Sequence, residues 1–182
     1  MSYIPPVFQI LLALVTLAAG AFDLRTRRIP NLLVLAGVLL GMGLNSFLYG
    51  MPGLTQSAKG LGLALLFYFP LFALRAMGAG DAKLMGAVGS IVGPGNWFGI
   101  FIITAVLGGV VGLLVVLAKK RLGSTIFNVA FILRELMAFR PPYVTRADLQ
   151  AGNENAISLP HGSIIALASL VFIVAMNIWA PR

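Results

Sequence analysis

Long apolar runs without charged residues constrain the fold of this chain more than any other feature. They extend for about 17 to 22 residues, the length that a helix needs to cross a hydrocarbon core of roughly 30 Å. The chain has 182 residues, of which 59% are hydrophobic and only 10% are charged. A soluble core of this size cannot bury so much apolar surface. We therefore expect an all-α integral membrane protein that forms a single membrane domain over residues 1–182.

The apolar runs predict six membrane-spanning helices. These are Pro6–Phe22, Asn31–Leu48, Ala58–Leu74, Ala82–Val92, Trp97–Ala118 and Ser163–Ala180. The fourth is short, because the helix-breaking sequence Gly93-Pro94-Gly95 follows it directly. At about 1.5 Å per residue it covers roughly half of the hydrocarbon thickness, so we expect a half-depth helix after Asp81.

The distribution of basic residues predicts the orientation in the membrane. With both termini outside, Lys59 and Arg182 lie on the outer side. All other basic residues then face the cytoplasm: Arg25, Arg27, Arg28, Arg75, Lys83, Lys119, Lys120, Arg121, Arg134, Arg140 and Arg146. The positive-inside rule favours this orientation. The net charge of +8 is then an insertion signal attracted to anionic lipid headgroups, and no basic stripe on a soluble face points to nucleic acid.

Residues 119–160 form the only long stretch outside the predicted spans, and we assign them to the cytoplasmic side. Within this stretch, residues 125–139 are apolar but contain Arg134 and Glu135, and they are short for a membrane crossing. The pattern predicts an interfacial or a re-entrant helix and leaves these two alternatives open. The chain has no cysteine, which excludes disulfide bonds and thiolate metal sites.

Two aspartates stand at the ends of apolar runs, where an ionisable side chain is costly. Asp23 follows the first predicted span and Asp81 begins the fourth, so we expect both at the same cytoplasmic level. Two carboxylates that share a water molecule cannot both ionise cheaply. One therefore stays protonated as a general acid while the other activates the water as a general base. This is the chemistry of an aspartic protease, and it needs no metal and no cofactor.

The residues around the two aspartates have structural and functional interpretations. Gly78 and Gly80 lack a Cβ atom, so the backbone is free to adopt unusual dihedral angles and to approach an extended substrate. Lys83 is two residues beyond Asp81, so the two side chains diverge, and Lys83 points to lipid phosphate or to the substrate entrance. The plainer interpretation of Asp81 is a helix N-cap, which is compatible with catalysis.

For Arg27, Pro30 and Asn31, which follow Asp23, a structural role is the simplest interpretation. Arg27 is interpreted mainly as a topology anchor, with a second possibility that it acts on the Asp23 carboxylate. Pro30 and Asn31 suit the beginning of a helix.

Two motifs together resemble a known family. Gly78-x-Gly80-Asp81-x-Lys83 and Asp23-Leu24-Arg25-x-x-x-Ile29-Pro30-Asn31 are similar to motifs of the type IV prepilin peptidases, membrane aspartyl proteases of the GxGD class. Pro160-His161-Gly162, before the last predicted span, resembles the Pro-aromatic-Gly element of that family. The resemblance covers nearly the whole chain. It implies catalytic roles for Asp23 and Asp81, roles in backbone or substrate approach for Gly78, Gly80 and Lys83, and supporting roles for Arg27, Pro30, Asn31, Pro160 and Gly162.

The resemblance also implies an activity and a location. Members of this family remove a short basic leader from pilin-like precursors at the cytoplasmic face of the bacterial inner membrane, without a cofactor. The chain lacks the N-terminal extension and the cysteine-bearing cytoplasmic region of the larger members, so we expect no methyltransferase activity. Its compact form resembles the Flp/Tad-pilus prepilin peptidases.

Other functions stay open at the level of sequence. Buried acids beside broken helices also suit an ion- or proton-coupled carrier, although no internal repeat is evident. A non-catalytic membrane subunit of a pilus assembly machine is a further alternative, although an intact pair of acids argues against it. A protease of the presenilin or signal-peptide-peptidase type is chemically related, but the Asp-Leu-Arg and Ile-Pro-Asn context favours the prepilin branch.

Overall fold

The chain folds as a bundle of helices whose outer surface is apolar. The structure, a computed structural model, describes residues 3–74, 77–120, 122–137 and 160–179. These residues form five helices and no strand: α1 (Pro6–Thr26), α2 (Asn31–Ala73), α3 (Ala79–Ala118), α4 (Leu122–Met137) and α5 (His161–Trp179).

The surface of the bundle is that of a membrane protein. Four of the described helices, α1, α2, α3 and α5, are long and apolar enough to cross a membrane. Large apolar side chains point outward, among them Phe47 and Ile178, which are 86% and 72% exposed. Helices satisfy their own backbone hydrogen bonds, as lipid requires. The expected all-α membrane protein is therefore confirmed at this level.

Helices α2 and α3 each fold back on themselves at a glycine. Gly50 (φ 62°, ψ −147°) and Gly93 (φ 74°, ψ 173°) adopt positive φ values that other residues rarely take. The indole N–H of Trp97 donates to the carbonyl of Met85 at 3.1 Å, although a straight helix would separate these residues by about 18 Å along its axis. Each long helix therefore consists of two arms, 31–49 with 51–73 and 79–92 with 94–118.

The bends correct several predicted boundaries. Residues 49–57, predicted as a connection, are helical apart from Gly50, because this one glycine at positive φ reverses the chain without a loop. Helix α1 extends beyond Phe22 to Thr26, so Asp23 lies inside it. Helix α4 covers most of the predicted helix 125–139, whose last two residues lie outside the described residues, as does the predicted last residue of the final span, Ala180.

The first arm of α3 is the centre of the bundle. Every residue of 84–92 is buried, and helices α1, α2 and α5 all contact α3. The arm crosses the second arm of α2 at Gly60 and Gly89, where a Cβ atom on either glycine would overlap the carbonyl oxygen of the other. The two backbones can approach this closely only because both positions are glycine.

The two ends of the bundle differ in their polar groups. Asp23 and Asp81 lie at one end, which we call the aspartate end, while the bends at Gly50 and Gly93 lie at the other, which we call the amide end. There, the Asn45 side chain donates to the carbonyls of Gly41, Ser90 and Ile91. A cavity of about 420 Å³ at the amide end is lined by residues of α1, α2 and α3, including Asn45 and Asn96.

Candidate active site

The connection between α1 and α2 begins the candidate site. Arg27 ends α1 in the left-handed conformation (φ 53°), and its backbone N–H donates to the carbonyl of Asp23 at 3.0 Å. Pro30 is extended (φ −62°, ψ 129°) and precedes the first residue of α2, Asn31. The chain therefore turns sharply after Thr26. This turn places Ile29 beside the first residues of α3 and α5.

Asp23 is held between α1 and the start of α5. Its side chain is 7% exposed, and Oδ2 accepts a long hydrogen bond of 3.4 Å from the backbone N–H of Ser163. The Ser163 hydroxyl donates to the carbonyl of Gly20 at 3.1 Å, which ties α5 to α1. A Cβ atom at Gly162 would lie 3.1 Å from the Asp23 Cβ atom. A glycine at position 162 therefore lets α5 approach the carboxylate closely.

Asp81 lies in the first turn of α3, where Gly78 is the N-cap residue. Asp81 is half-buried, and the two aspartates are close enough to interact electrostatically. The predicted N-cap role of Asp81 is wrong, because Asp81 is the third residue of the helix. The structure thus brings together the two acids that the sequence pairs.

Gly78 and Gly80 differ from the sequence expectation. Gly78 is extended (φ −72°, ψ 146°), and among the described glycines only Gly50 and Gly93 have positive φ. These two glycines therefore matter because they leave room for neighbouring side chains, and not because they adopt unusual dihedral angles. A Cβ at Gly80 would lie 3.4 Å from the Cβ of Ile29, and a Cβ at Gly78 would lie 3.3 Å from Oδ2 of Asp81.

Ile29 is the residue at which the three motifs meet, and the sequence did not indicate a role for it. It contacts Gly80 in the Asp81 motif, and a Cβ at Gly162 would lie 3.0 Å from its Cδ1 atom. Its position inside Ile29-Pro30-Asn31 was the available signal, but the contacts depend on helices that are distant in sequence.

Lys83 and Asn31 form a contact that the sequence interpretations also missed. The Lys83 ammonium donates to Oδ1 of Asn31 at 3.0 Å, and both side chains are exposed. Lys83, the fifth residue of α3, is thereby joined to Asn31, the first residue of α2.

The other predicted residues lie near the connection between α1 and α2 and at the start of α5. The Arg27 side chain is exposed. Pro160 directly precedes α5, and its carbonyl accepts from the backbone N–H groups of Ser163 and Ile164 in the first turn of that helix. His161 is the half-buried first residue of α5, and it is close enough to Asp23 to interact electrostatically. Tyr68 in α2 is close enough to Asp81 to interact with it electrostatically.

The described residues contain no group of three or more His, Asp or Glu side chains that could hold a metal ion. What the site offers is a pair of interacting carboxylates at the ends of apolar helices. Such a pair can bind a water molecule, remove a proton from it and donate a proton to a carbonyl oxygen.

Comparison with known proteins gives one family. The model of the type IV leader peptidase family matches residues 10–113, which include both aspartates and more than half of the chain. No curated protein and no solved structure matches the chain. The family match covers α1, α2 and most of α3, whereas the start of α5, which contacts Asp23, lies beyond it. This multi-pass membrane protein is a peptidase, and it belongs to the type IV leader peptidase family.

Proposed function

We propose that the chain is an aspartic endopeptidase that removes the short basic leader from type IV prepilins, with Flp-like prepilins as the expected class. The observation that carries the proposal is the shared location of Asp23 and Asp81 at one end of the bundle, where Ile29 lies beside both Gly80 and Gly162. Both aspartates are inside the residues matched by the leader peptidase family. In the proposed reaction, the ionised carboxylate takes a proton from a shared water, which attacks the scissile carbonyl. The protonated carboxylate donates to the carbonyl oxygen, and a proton is then delivered to the leaving amine.

The proposal includes a position for the substrate. A helical peptide bond is already hydrogen-bonded and sterically shielded, so the scissile segment must unwind at the interface while its apolar helix stays in lipid. The aspartate end carries the exposed cations Arg25, Arg27 and Arg28, which the positive-inside rule places in the cytoplasm. Cleavage would therefore occur at the cytoplasmic face of the inner membrane.

The bends at Gly50 and Gly93 support six crossings with both termini outside. Counting each arm of α2 and α3 as a crossing gives six together with α1 and α5. Because the chain has no cysteine, Arg28→Cys and Tyr49→Cys provide single labelling sites. An impermeant maleimide added to intact cells should label the Tyr49→Cys variant, and should label the Arg28→Cys variant only after the membrane is opened. The reverse pattern would refute the orientation.

The proposed activity is tested by co-expression with a small Flp-type prepilin, with the precursor mass as the readout. Asp23→Asn and Asp81→Asn should each reduce cleavage by about a thousandfold, because each removes one member of the acid–base pair. Asp148→Asn is the matched control and should cleave normally, since Asp148 belongs to the stretch 119–160, outside the predicted spans and outside both motifs. Substantial cleavage by a well-inserted Asp23→Asn or Asp81→Asn variant would refute the two-aspartate mechanism.

A further inference from the structure

The bond between Lys83 and Asn31 joins the two chain segments that must be held in register. Asn31 is the first residue of α2, a few residues after Asp23, and Lys83 lies in the same helix as Asp81. The Nζ to Oδ1 distance is 3.0 Å. On α3 the Lys83 side chain diverges from Asp81, because residues two apart do not share a helix face. The ammonium therefore contacts α2 from the side of α3 that Asp81 does not occupy.

A second contact ties the same two segments together. Ile29 packs against Gly80, one residue before Asp81. The segment 29–31 thus contacts α3 at two points, one apolar and one polar. Ile29 also packs against Gly162 at the start of α5, next to Asp23. The segment between α1 and α2 therefore lies beside a neighbour of each aspartate: Gly80 next to Asp81, and Gly162 next to Asp23.

The catalytic geometry needs such a constraint. Two carboxylates act on one water only when their separation is held, and a misplacement of about 1 Å can cost a hundredfold in rate. Asp81 lies in the first turn of its helix, where helices fray most readily. A charge-assisted hydrogen bond from Lys83, which follows directly after that turn, to a neighbouring helix opposes the fraying.

We propose that Lys83 and Asn31 are positioning residues, whose hydrogen bond holds the N-terminal end of α3 against the start of α2 and so sets the separation of the Asp23 and Asp81 carboxylates. The proposal rests on the function proposed above. It assigns Lys83 a task other than contact with lipid phosphate or substrate, and it assigns Asn31 a task beyond beginning α2.

The kinetic test compares Lys83→Met, Asn31→Leu and the double variant on a purified prepilin. Each single variant should reduce kcat by about tenfold and leave KM within about twofold, because the bond acts on the geometry of the acids and not on binding. The double variant should be no slower than the slower single variant, since both substitutions remove the same bond. Lys83→Arg, which keeps a cationic donor, should recover most of the activity. Lys59→Met is the matched control for the loss of an exposed membrane-helix lysine, and it should cleave normally.

A second measurement needs no substrate and therefore remains informative if the proposed function fails. Leu24→Cys and Ala79→Cys place spin labels beside the two aspartates in a chain that has no other cysteine. In the Lys83→Met background, the distance distribution between the labels should broaden or shift, whereas in the Lys59→Met background it should not.

Three results would overturn the proposal. One is a label distribution that Lys83→Met leaves unchanged. Another is a rise in KM with kcat intact, which would make Lys83 a substrate-binding residue. The third is a double variant whose loss equals the product of the two single losses, which would mean that the residues act separately.

Discussion

The two ends of the bundle use polar side chains in opposite ways. At the amide end, Asn45 donates to three carbonyls, and the Ser57 hydroxyl donates to one of the same acceptors, the carbonyl of Ser90. These side chains complete the backbone hydrogen bonding where α2 and α3 reverse. At the aspartate end, the carboxylates of Asp23 and Asp81 lie close enough to interact electrostatically. Asn45 and Ser57 therefore stabilise the fold, while the two carboxylates at the other end lie beside each other without completing a backbone turn.

This contrast predicts that substitutions at the two ends separate stability from cleavage. The largest effect is expected near the amide end from Gly60→Ala. The added methyl group would overlap the Gly89 carbonyl, and because backbone cannot move aside as a side chain can, the free energy of unfolding should fall by about 3 kcal/mol. Unfolding in a detergent titration measures the change.

Gly62→Ala is the matched control for that experiment, since a Cβ at Gly62 meets no atom within 4 Å. It should leave the free energy of unfolding nearly unchanged. If Gly60→Ala were as stable as Gly62→Ala, the close crossing of α2 and α3 would be refuted.

The next largest effect is expected at the aspartate end from Gly162→Ala. The new Cβ would lie 3.0 Å from Ile29 Cδ1 and 3.1 Å from Asp23 Cβ, so the carboxylate must shift. Cleavage should fall by about a hundredfold, while the melting temperature changes little, because the Ile29 side chain can yield. Prepilin processing and thermal unfolding are measured on the same preparation.

Gly109→Ala supplies the comparison, because a Cβ at that position meets no atom within 4 Å. Normal cleavage by Gly162→Ala would show that the approach of α5 does not set the position of Asp23.

The smallest effect is expected from pH and should appear only in cleavage. The two acids release their protons as a coupled pair. At low pH both are protonated and no base remains, while at high pH both are ionised and no acid remains, so the rate should fall on both sides by about tenfold per pH unit. A rate that stays flat through the acid range, with chemistry shown to be limiting, would contradict a shared proton.

The sequence predicted the parts of this structure that depend on local pattern. The starts of α1 at Pro6 and α2 at Asn31 were right, because prolines restrict the chain before each apolar run. Asp23 and Asp81 were also expected at one end of the bundle, because both stand at the ends of such runs, and their joint catalytic role stays a prediction.

The sequence could not predict features that depend on packing between distant segments. The shortness of the connection at Gly50 was missed, because a single glycine at positive φ reverses the chain where the sequence predicted a connection over residues 49–57. The contacts of Ile29 and the bond between Lys83 and Asn31 were missed for a related reason. Helical periodicity describes neighbours within one helix, whereas these contacts join helices whose relative position arises only on folding.

The glycine bends also bear on how the protein enters the membrane. Residues 84–118, which form most of α3, include no Asp, Glu, Lys or Arg, and the whole of α2 carries only Lys59. A helical hairpin held closed by a one-residue bend can leave the translocon as a unit, with its charged ends remaining on the side of synthesis. We expect α3 to insert in this way without moving a single charge across the bilayer, so that Asp81 reaches the cytoplasmic surface as soon as its hairpin is released.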